Sequence, residues 1–558
     1  MRIPTEALQR EQFYLDLIEK CEVSMNERKS DYLGLRSWYL FGNGMDDAPA
    51  LYNKIQPHID QLTSFLYSAE TTRFSIVTGA SVPDTEHSKI PVLTRALNDE
   101  WSNSNADHVF GQAVSWAMCY NTTFIKLVVN KGIHPYLVEP NCIGVLREDI
   151  PGLQSQEALI QEYYITKSEL YSRLYSHPRR EEIVNRVNAA EHQRTDSPEG
   201  VERILMSQSN PTMYGNVNLD LSGNERYKAR VSEDTVRMIE LWVYNDDIKD
   251  YQVVTKADPD VIIYDRPGET VWMKGELPFV QICPNPLYDY FWGQSEVSRL
   301  VYLQELRNKR MAEILDLLSK QVSPPTALIG FTGILDEKNF ALNRAGGLLS
   351  TDMPNAKVEK LAPNIPNDLF REIGEIDLMF EEASGIVSVL QGRGEAGVRS
   401  SGHASQLARL GSSRAKKRAL IIEDALEKMA TLYLKAMQLY SATHYKDTHG
   451  VPFIPEQFTK DFMVKVDAHS NSPIFMEDMR QMAFSLFNAK AIDKESLLDL
   501  TDPPMKQQLK ERLKIMEERE ALAQAEAAAA KQQPPQNVPQ PPQEAAGGGM
   551  SPEMPLIQ

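Results

Sequence analysis

Apolar side chains recur at intervals of three and four residues along most of this chain, which is the spacing of one face of an α-helix. Between positions 294 and 440 the pattern predicts three long helices, Gln294 to Gln321, Ile365 to Ile386 and His403 to about Tyr440. Ser323 and the two prolines after it end the first helix, because the residue before a proline disfavours the helical conformation. The segment 322–364, between the first two helices, contains a hairpin-like run.

The same spacing predicts helices in the first third of the chain. They run from Thr5 to about Arg28, from Ala48 to Leu66 with a bend at Pro57, and from Asp107 to Tyr120. Residues 151–195 are rich in charged side chains, and they too are predicted to be helical.

Strand signals replace the helical spacing between Thr235 and Pro286. Short apolar runs separated by turn residues predict a small, mostly antiparallel sheet there, and a further strand is predicted within 462–470. Asp493 is placed to cap a helix from Lys494 to Leu500. The expected fold class is therefore α+β and mainly helical.

A glycine-rich segment from Gln391 to Gly402 holds four glycines in twelve residues, too many for a regular element. Within it, Gly392 to Gly397 reads GxGxxG, the pattern of a dinucleotide-binding turn. The apolar run before this pattern has only five residues, and no acidic residue occurs from Ala396 to Ile422. These features favour a flexible loop, and a nucleotide-cofactor enzyme is the alternative.

Composition narrows the possible functions. The 558 residues carry a net charge of -18, which argues against a surface that binds DNA tightly by counterion release, although DNA could still pass nearby. The four cysteines form no CxxC pair and the ten histidines lack metal-ligand spacing, so neither a metal site nor a disulfide framework is expected. No signal-peptide pattern and no long apolar run occur, which predicts a soluble protein made in the cytosol. No catalytic motif is found, and we expect no enzyme activity and no cofactor.

Two clusters of charge are candidate binding features. The acid-free stretch includes Lys416, Lys417 and Arg418, which could lie on a solvated helix face, pair with acids of a neighbouring subunit or face DNA. The second helix is acidic, and its carboxylates at Glu372, Glu375 and Glu381 could line a channel or pack against a basic helix of a neighbour. A metal site on this helix is disfavoured, because adjacent helical side chains point about 100° apart.

The order of these elements resembles that of bacteriophage portal proteins, the ring-shaped connectors between the head and tail of tailed phages. The matching features are two stem helices that enclose a clip, a tunnel loop and a long kinked helix. Ser384 to Leu407 looks like the signature region of that family, and Phe110 to Val129 is similar to its wing segment.

The resemblance implies a division of the chain into regions. They are N-terminal helices and an α+β wing at 1–293, a first stem helix at 294–321, a clip at 322–364, a second stem helix at 365–386, a tunnel loop at 387–402, a long kinked helix at 403–445, a wing return at 446–475, a helical crown at 476–530 and a Pro/Gln/Gly-rich tail at 531–558. The composition of the tail predicts disorder, because it has little apolar surface to bury.

The resemblance also implies a function. A ring of about twelve subunits would stand at one capsid vertex of the virion after assembly in the host cytoplasm, and a terminase would drive double-stranded DNA through it before later ejection. The clip would bind the terminase and then head-completion or tail adaptor proteins, and the wing would bind major capsid and scaffolding proteins. DNA would pass without sequence-specific contacts, and no membrane is involved. The tunnel-loop candidates for DNA contact are Gln391, Arg393, Glu395, Arg399 and Ser400.

A motor supplied by a separate protein agrees with the absence of a GxxxxGK[ST] motif from the sequence. A further alternative is an adaptor or scaffold built on a coiled coil. The apolar positions of 402–440 drift from a heptad, and Gly411 interrupts them, which disfavours that alternative.

Overall fold

The computed structural model describes residues 1–42, 52–68, 72–79, 82–195, 235–322, 326–329, 355, 357–360, 366–384, 413–459, 461–466, 482–501, 509, 510, 512–516 and 519. The chain divides into two compact units, Met1–Glu477 and Asp478–Gln558. The predicted tunnel loop, most of the predicted clip and the predicted tail lie outside the described residues.

Helices of the first unit include the three longest described elements. They are α1 (Ala7–Phe41), α2 (Ile55–Leu66), α3 (Asp84–His87), α4 (Ile90–Asn103), α5 (Ala106–Tyr120), α6 (Lys167–Arg173), α7 (Arg180–Thr195), α8 (Glu296–Val322), α9 (Asn367–Ser384) and α10 (Ser413–Tyr440). The helix predicted from Asp107 to Tyr120 is confirmed as α5, and the helices predicted around 294–321 and 365–386 are observed as α8 and α9.

The largest sheet of the described residues has five antiparallel strands in the order β4-β5-β6-β7-β8. These are β4 (Ile143–Val145), β5 (Ala158–Thr166), β6 (Thr235–Asn245), β7 (Asp250–Ala257) and β8 (Val261–Pro267). Its outer strand β8 is protected at the edge, because His177 and Arg179 donate hydrogen bonds to the carbonyls of Ile263 and Ile262.

Smaller sheets join distant parts of the chain. One has the order β3-β2-β9, from β2 (Thr123–Val129), β3 (Ile133–Val138) and β9 (Phe279–Ile282). The others are pairs: β1 (Phe74–Thr78) with β14 (Phe462–Val466), β10 (Thr326–Ile329) with β11 (Lys357–Lys360), and β12 (Tyr445–Lys446) with β13 (Pro452–Phe453). The strand predicted within 462–470 is thus confirmed as β14.

The main core lies where α2, α4, α5 and α10 meet the three-stranded sheet. Its largest buried side chains include Trp101, Phe110, Phe124 and Tyr433. A second cluster forms where α1 packs on the five-stranded sheet, with Tyr14 and other apolar side chains of α1 against strand residues. Because α10 buries its apolar stripe inside its own chain, that stripe is not available as the seam of a coiled coil.

The second unit is described over its helical segments. Residues 482–488 are helical, and α11 spans Lys494–Thr501. The predicted cap is confirmed, since the carboxylate of Asp493 accepts a hydrogen bond of 2.8 Å from the backbone nitrogen of Ser496.

Three predictions of secondary structure were wrong. Helix α1 does not end near Arg28 but continues to Phe41, where Gly42 adopts a left-handed conformation and its N–H bonds the carbonyl of Trp38. Pro57 does not bend α2, because the helix begins at Ile55 and proline fits the first turn.

The third error concerns 151–195, where the charged side chains suggested helix throughout. Ala158–Thr166 is instead the strand β5, paired on one side with β4 and on the other with β6. Its charged residue Glu162 is buried and pairs with Arg237 of β6 at 3.0 Å, so charge here marks an ion pair in the interior. The five-stranded sheet consequently takes β5 from this region and β4 from the segment before it, in addition to the strands after Thr235.

Candidate functional site: a helical hairpin on a buried polar junction

Helices α8 and α9 form an antiparallel pair whose contact combines apolar and charged side chains. Ile314 of α8 is buried, and so are Ile376 and Phe380 of α9. Arg307 contacts the carboxylate of Asp377 at 3.1 Å. Strands β10 and β11, which follow α8 and precede α9, pair with each other in antiparallel register and continue the hairpin.

The first turn of α8 carries a buried ion pair. The carboxylate of Glu296, with no exposed surface, lies 2.7 Å from the guanidinium of Arg418 on α10. Arg418 also donates a hydrogen bond of 2.8 Å to the side chain of Asn285, and Arg299 contacts Glu296 at 3.3 Å. A carboxylate at a helix N-terminus is further stabilised by the helix dipole.

About two turns further along, α8 contacts the connection between α1 and α2. The buried side chain of Gln304 donates to the carbonyl of Tyr52 and accepts from the backbone nitrogen of Lys54, at 3.1 Å each. Asn308 donates a hydrogen bond of 2.9 Å to the carbonyl of Gly42, at the end of α1. The hairpin is therefore joined by polar contacts to the first two helices of the chain.

A third set of contacts lies just before α8. The guanidinium of Arg28 on α1 stacks 3.4 Å from the ring centroid of Trp292 and forms an ion pair with Glu148. The indole nitrogen of Trp292 donates to the same carboxylate at 2.8 Å. Together, these contacts hold the base of the hairpin against α1 and the connection between β4 and β5.

Two of the predicted charge candidates form ion pairs within their own chain. Arg418 was expected to face DNA or a neighbouring subunit, but it is buried and bound to Glu296 of its own chain, because the helix after the glycine segment packs on the base of α8. Glu372, a candidate for the channel or for contact with a neighbour, pairs with Arg310 of α8 within the same chain at 2.9 Å and keeps 36% of its side-chain surface exposed.

The other candidates lie on the hairpin or next to it. Glu375 is exposed and pairs with Arg371 one turn earlier on α9, while Glu381 is half-buried. Lys416 is half-buried and Lys417 exposed in the first turns of α10. The tunnel-loop candidates fall outside the described residues, as does the GxGxxG pattern: Gln391, Gly392, Arg393, Glu395, Gly397, Arg399 and Ser400.

The outer surface of α9 carries apolar side chains. Phe370 is 52% exposed and Leu378 is 60% exposed, and these residues lie two helical turns apart on one face. Gly374 lies between them, and a Cβ atom added there would meet nothing within 4 Å. The three positions form an open notch bordered by two apolar side chains, and below we call them the α9 notch.

Two described side chains have pKa values that burial raises. Burial raises the pKa of the Asp107 carboxyl, which accepts hydrogen bonds from Trp101 at 2.6 Å and Tyr67 at 3.2 Å. Burial also raises the pKa of the Cys21 thiol to about 12, which leaves it protonated and unreactive at neutral pH. No group of three or more metal-ligating side chains occurs in the described part of the chain. No described helix is both long enough and apolar enough to cross a bilayer.

Sequence reasoning missed the buried polar residues of α8, Gln304 and Arg307, although the sequence contains a signal for them. Val297, Leu300 and Ile314 fit one helical face, and Gln304 and Arg307 fall on the same face at the same spacing. A polar residue in the phase of a buried apolar stripe indicates a buried polar contact. The partners, however, come from positions as distant as Tyr52 and could not be found by spacing.

A comparison with curated proteins finds no match to this chain in sequence. Among solved structures, the chain is similar to one described as the virion of a native gene transfer agent particle, with 11% identity, 85% of this chain and 94% of that chain covered, and a TM-score of 0.42. A second, described as the neck of an empty gene transfer agent particle, gives 11% identity, coverage of 84% and 94%, and a TM-score of 0.40.

A family model matches most of the sequence. Residues 92–549 match the family described as phage SU10 portal protein, a span that includes α5, the five-stranded sheet, the α8–α9 hairpin and α10. This chain therefore belongs to the phage SU10 portal protein family.

Proposed function

We propose that this portal-family protein forms a ring at one vertex of a tailed-phage capsid, through which double-stranded DNA is packaged by a terminase and later ejected. The observation that carries the proposal is the family match over residues 92–549. The role is mechanical, so it requires no cofactor and no chemistry from this chain. Head-completion or tail proteins would then attach to the same ring.

Regions of the subunit follow from the proposal. Helices α8 and α9 serve as the two stem helices, and β10 and β11 belong to the clip that meets the terminase and later the adaptor proteins. The five-stranded and three-stranded sheets, with α1 to α7, form the wing toward coat and scaffolding proteins. The helices after position 476 form the crown.

Contact between subunits is proposed to use the outer surface of α9. The α9 notch exposes Phe370 and Leu378 beside an open glycine, which would accept a ridge of side chains from a helix of a second copy. Glu375 and Glu381 would add charge to this contact, and Lys416 and Lys417 are proposed as their partners or as channel residues. In a closed ring each of these residues is repeated in every subunit.

The DNA channel is proposed to involve the segment 387–402. Arg399 would contribute a girdle of positive charge, and Gln391, Arg393, Glu395 and Ser400 would approach the phosphate backbone without reading bases. The net charge of -18 suits a channel in which DNA slides, because widespread positive charge would retain the phosphates.

Native mass spectrometry with negative-stain imaging of the purified full chain tests the proposal. We expect rings with a central hole and a mass of about twelve subunits. A compact monomer that stays monomeric at high concentration and in the presence of scaffolding protein would contradict it. Nucleotide binding by the isolated chain would instead favour an enzyme built on the GxGxxG pattern.

A further inference from the structure

The first turns of α10 pack through small side chains. Ala415 and Ala419 are buried there, and Ile422 follows them on the same face. Alanine presents a small, smooth surface, and such a surface fits a facing helix in more than one rotation or axial position. Apolar contact therefore favours burial of these turns but specifies their position weakly.

One buried polar side chain borders this smooth face. Arg418 lies about 60° around the helix from Ala415, on the side away from Ala419, and its guanidinium reaches Glu296 at 2.7 Å and Asn285 at 2.8 Å. All three side chains are buried. Because the guanidinium donates in a fixed planar fork, this arrangement tolerates few positions of α10.

The free energy of a buried ion pair also favours a role in positioning the helix. A buried ion pair contributes little net stability compared with apolar side chains of similar size, since desolvation of both charges offsets their attraction. What such a pair does supply is a penalty for every arrangement in which either charge is left buried and alone. A pair placed beside a smooth helical face thus discriminates between positions of the helix.

We propose that the Arg418–Glu296 pair, together with Asn285, is the device that fixes the rotation and axial position of the first turns of α10 on the base of α8. The pair joins the start of the hairpin to the start of the helix that follows the segment 387–402. It thereby positions the first described turns of α10, which begin at Ser413. The proposal rests on the contacts within one subunit and does not require the portal function.

The test combines a matched apolar replacement with a thiol probe in the full-length chain. Arg418→Met and Glu296→Leu together remove both charges and keep apolar volume, so the double variant is expected to stay folded. A cysteine placed at the fully buried Ala419 reports whether the face remains covered, and one at the exposed Leu420 gives the unprotected rate. The rate of maleimide labelling is read for each cysteine by mass spectrometry of its peptide.

With Arg418 and Glu296 present, the cysteine at 419 should react far more slowly than the cysteine at 420. In the double variant we expect labelling at 419 to rise about tenfold or more, because the turn samples positions in which this face is uncovered. A cysteine at the buried Ala430, three turns further along α10, should stay protected.

Two controls keep the result interpretable. Lys417→Met, at the exposed neighbouring position, should leave the protection at 419 unchanged. Circular dichroism and the urea midpoint of the double variant report whether it is folded. If the double variant is folded and position 419 stays as protected as in the parent chain, apolar contacts alone fix the helix and the proposal is overturned. Single variants that keep one buried charge should be less stable than the double variant, and the reverse order would also contradict the proposal.

Discussion

Asp250 shows how a single buried carboxylate can organise a turn. It accepts hydrogen bonds from the backbone nitrogens of Tyr251, Glu269 and Gly275, at 2.8, 2.9 and 2.7 Å, and it has almost no exposed surface. We expect Asp250→Ala to lower the free energy of unfolding by about 3 kcal/mol, because three backbone N–H donors lose a buried, charged acceptor. Urea denaturation followed by circular dichroism measures the change.

The matched control is Asp247→Ala, three residues earlier on the exposed turn between β6 and β7. It should change the free energy of unfolding by less than about 0.5 kcal/mol. Equal effects of the two substitutions would mean that the three hydrogen bonds of Asp250 contribute no specific stability.

His58 predicts a dependence of stability on pH. Burial, followed by the positive charge of Arg418, lowers the pKa of His58 to about 4, while the unfolded chain has an ordinary histidine pKa of 6.5. Between these values the unfolded state binds a proton that the folded state excludes, so stability should fall as the pH decreases. We expect a loss of about 2 kcal/mol between pH 7 and pH 5 from this group.

Urea midpoints at a series of pH values, compared between the parent chain and His58→Gln, isolate this contribution. The variant should lose less stability than the parent on acidification, because it has no proton to gain. His87→Gln, at an exposed position, serves as the control and should retain the slope of the parent. Identical slopes for His58→Gln and the parent would refute the assignment.

At the scale of elements, the crossing of α1 over the sheet depends on a glycine. A Cβ atom at Gly144 of β4 would overlap the carbonyl oxygen of Cys21 in α1 and lie 2.9 Å from Ile160 of β5. We expect Gly144→Ala to lower the free energy of unfolding by about 2 to 3 kcal/mol, because backbone must move to relieve the contact. Thermal or urea denaturation provides the measurement.

Gly34 offers the matched comparison, since it lies within α1 and an added Cβ would meet nothing within 4 Å. Gly34→Ala should raise stability by about 0.5 to 1 kcal/mol, because alanine has the higher helix propensity. Destabilisation by both substitutions would show that the close crossing at Gly144 is not the cause.

At the scale of the whole molecule, the proposed ring makes the α9 notch an interface. Leu378→Glu should leave the fold of the subunit unchanged, because the side chain is 60% exposed. It should shift the protein from rings to free subunits, because the new charge would be buried between copies. Native mass spectrometry of the parent and the variant at equal concentrations gives the fraction in rings.

Leu8→Glu is the control, since it makes the same exchange at an exposed position of α1. We expect it to leave the ring fraction unchanged. Rings formed equally well by Leu378→Glu and the parent would exclude the α9 notch from the interface without excluding a ring.

Much of the architecture was predictable because its signals are local. The three-residue and four-residue spacing in α5, α8 and α9 is a property of neighbouring positions, and so is the cap at Asp493. The strand β5 was missed for the opposite reason. Its buried Glu162 belongs to an ion pair with Arg237, 75 positions away, and only the pairing of β5 with β6 makes that charge compatible with a strand interior.

The sequence by itself determined most of the long helices, the order of the hairpin elements and the resemblance to portal proteins, because periodicity and element order are local properties of the chain. Tertiary structure alone decided which charges face solvent. Arg418 and Lys417 are adjacent and alike in sequence, yet one is buried against Glu296 and the other is exposed. The reason is that burial depends on the rotation of a helix against elements that are distant in sequence, and no local pattern specifies that rotation.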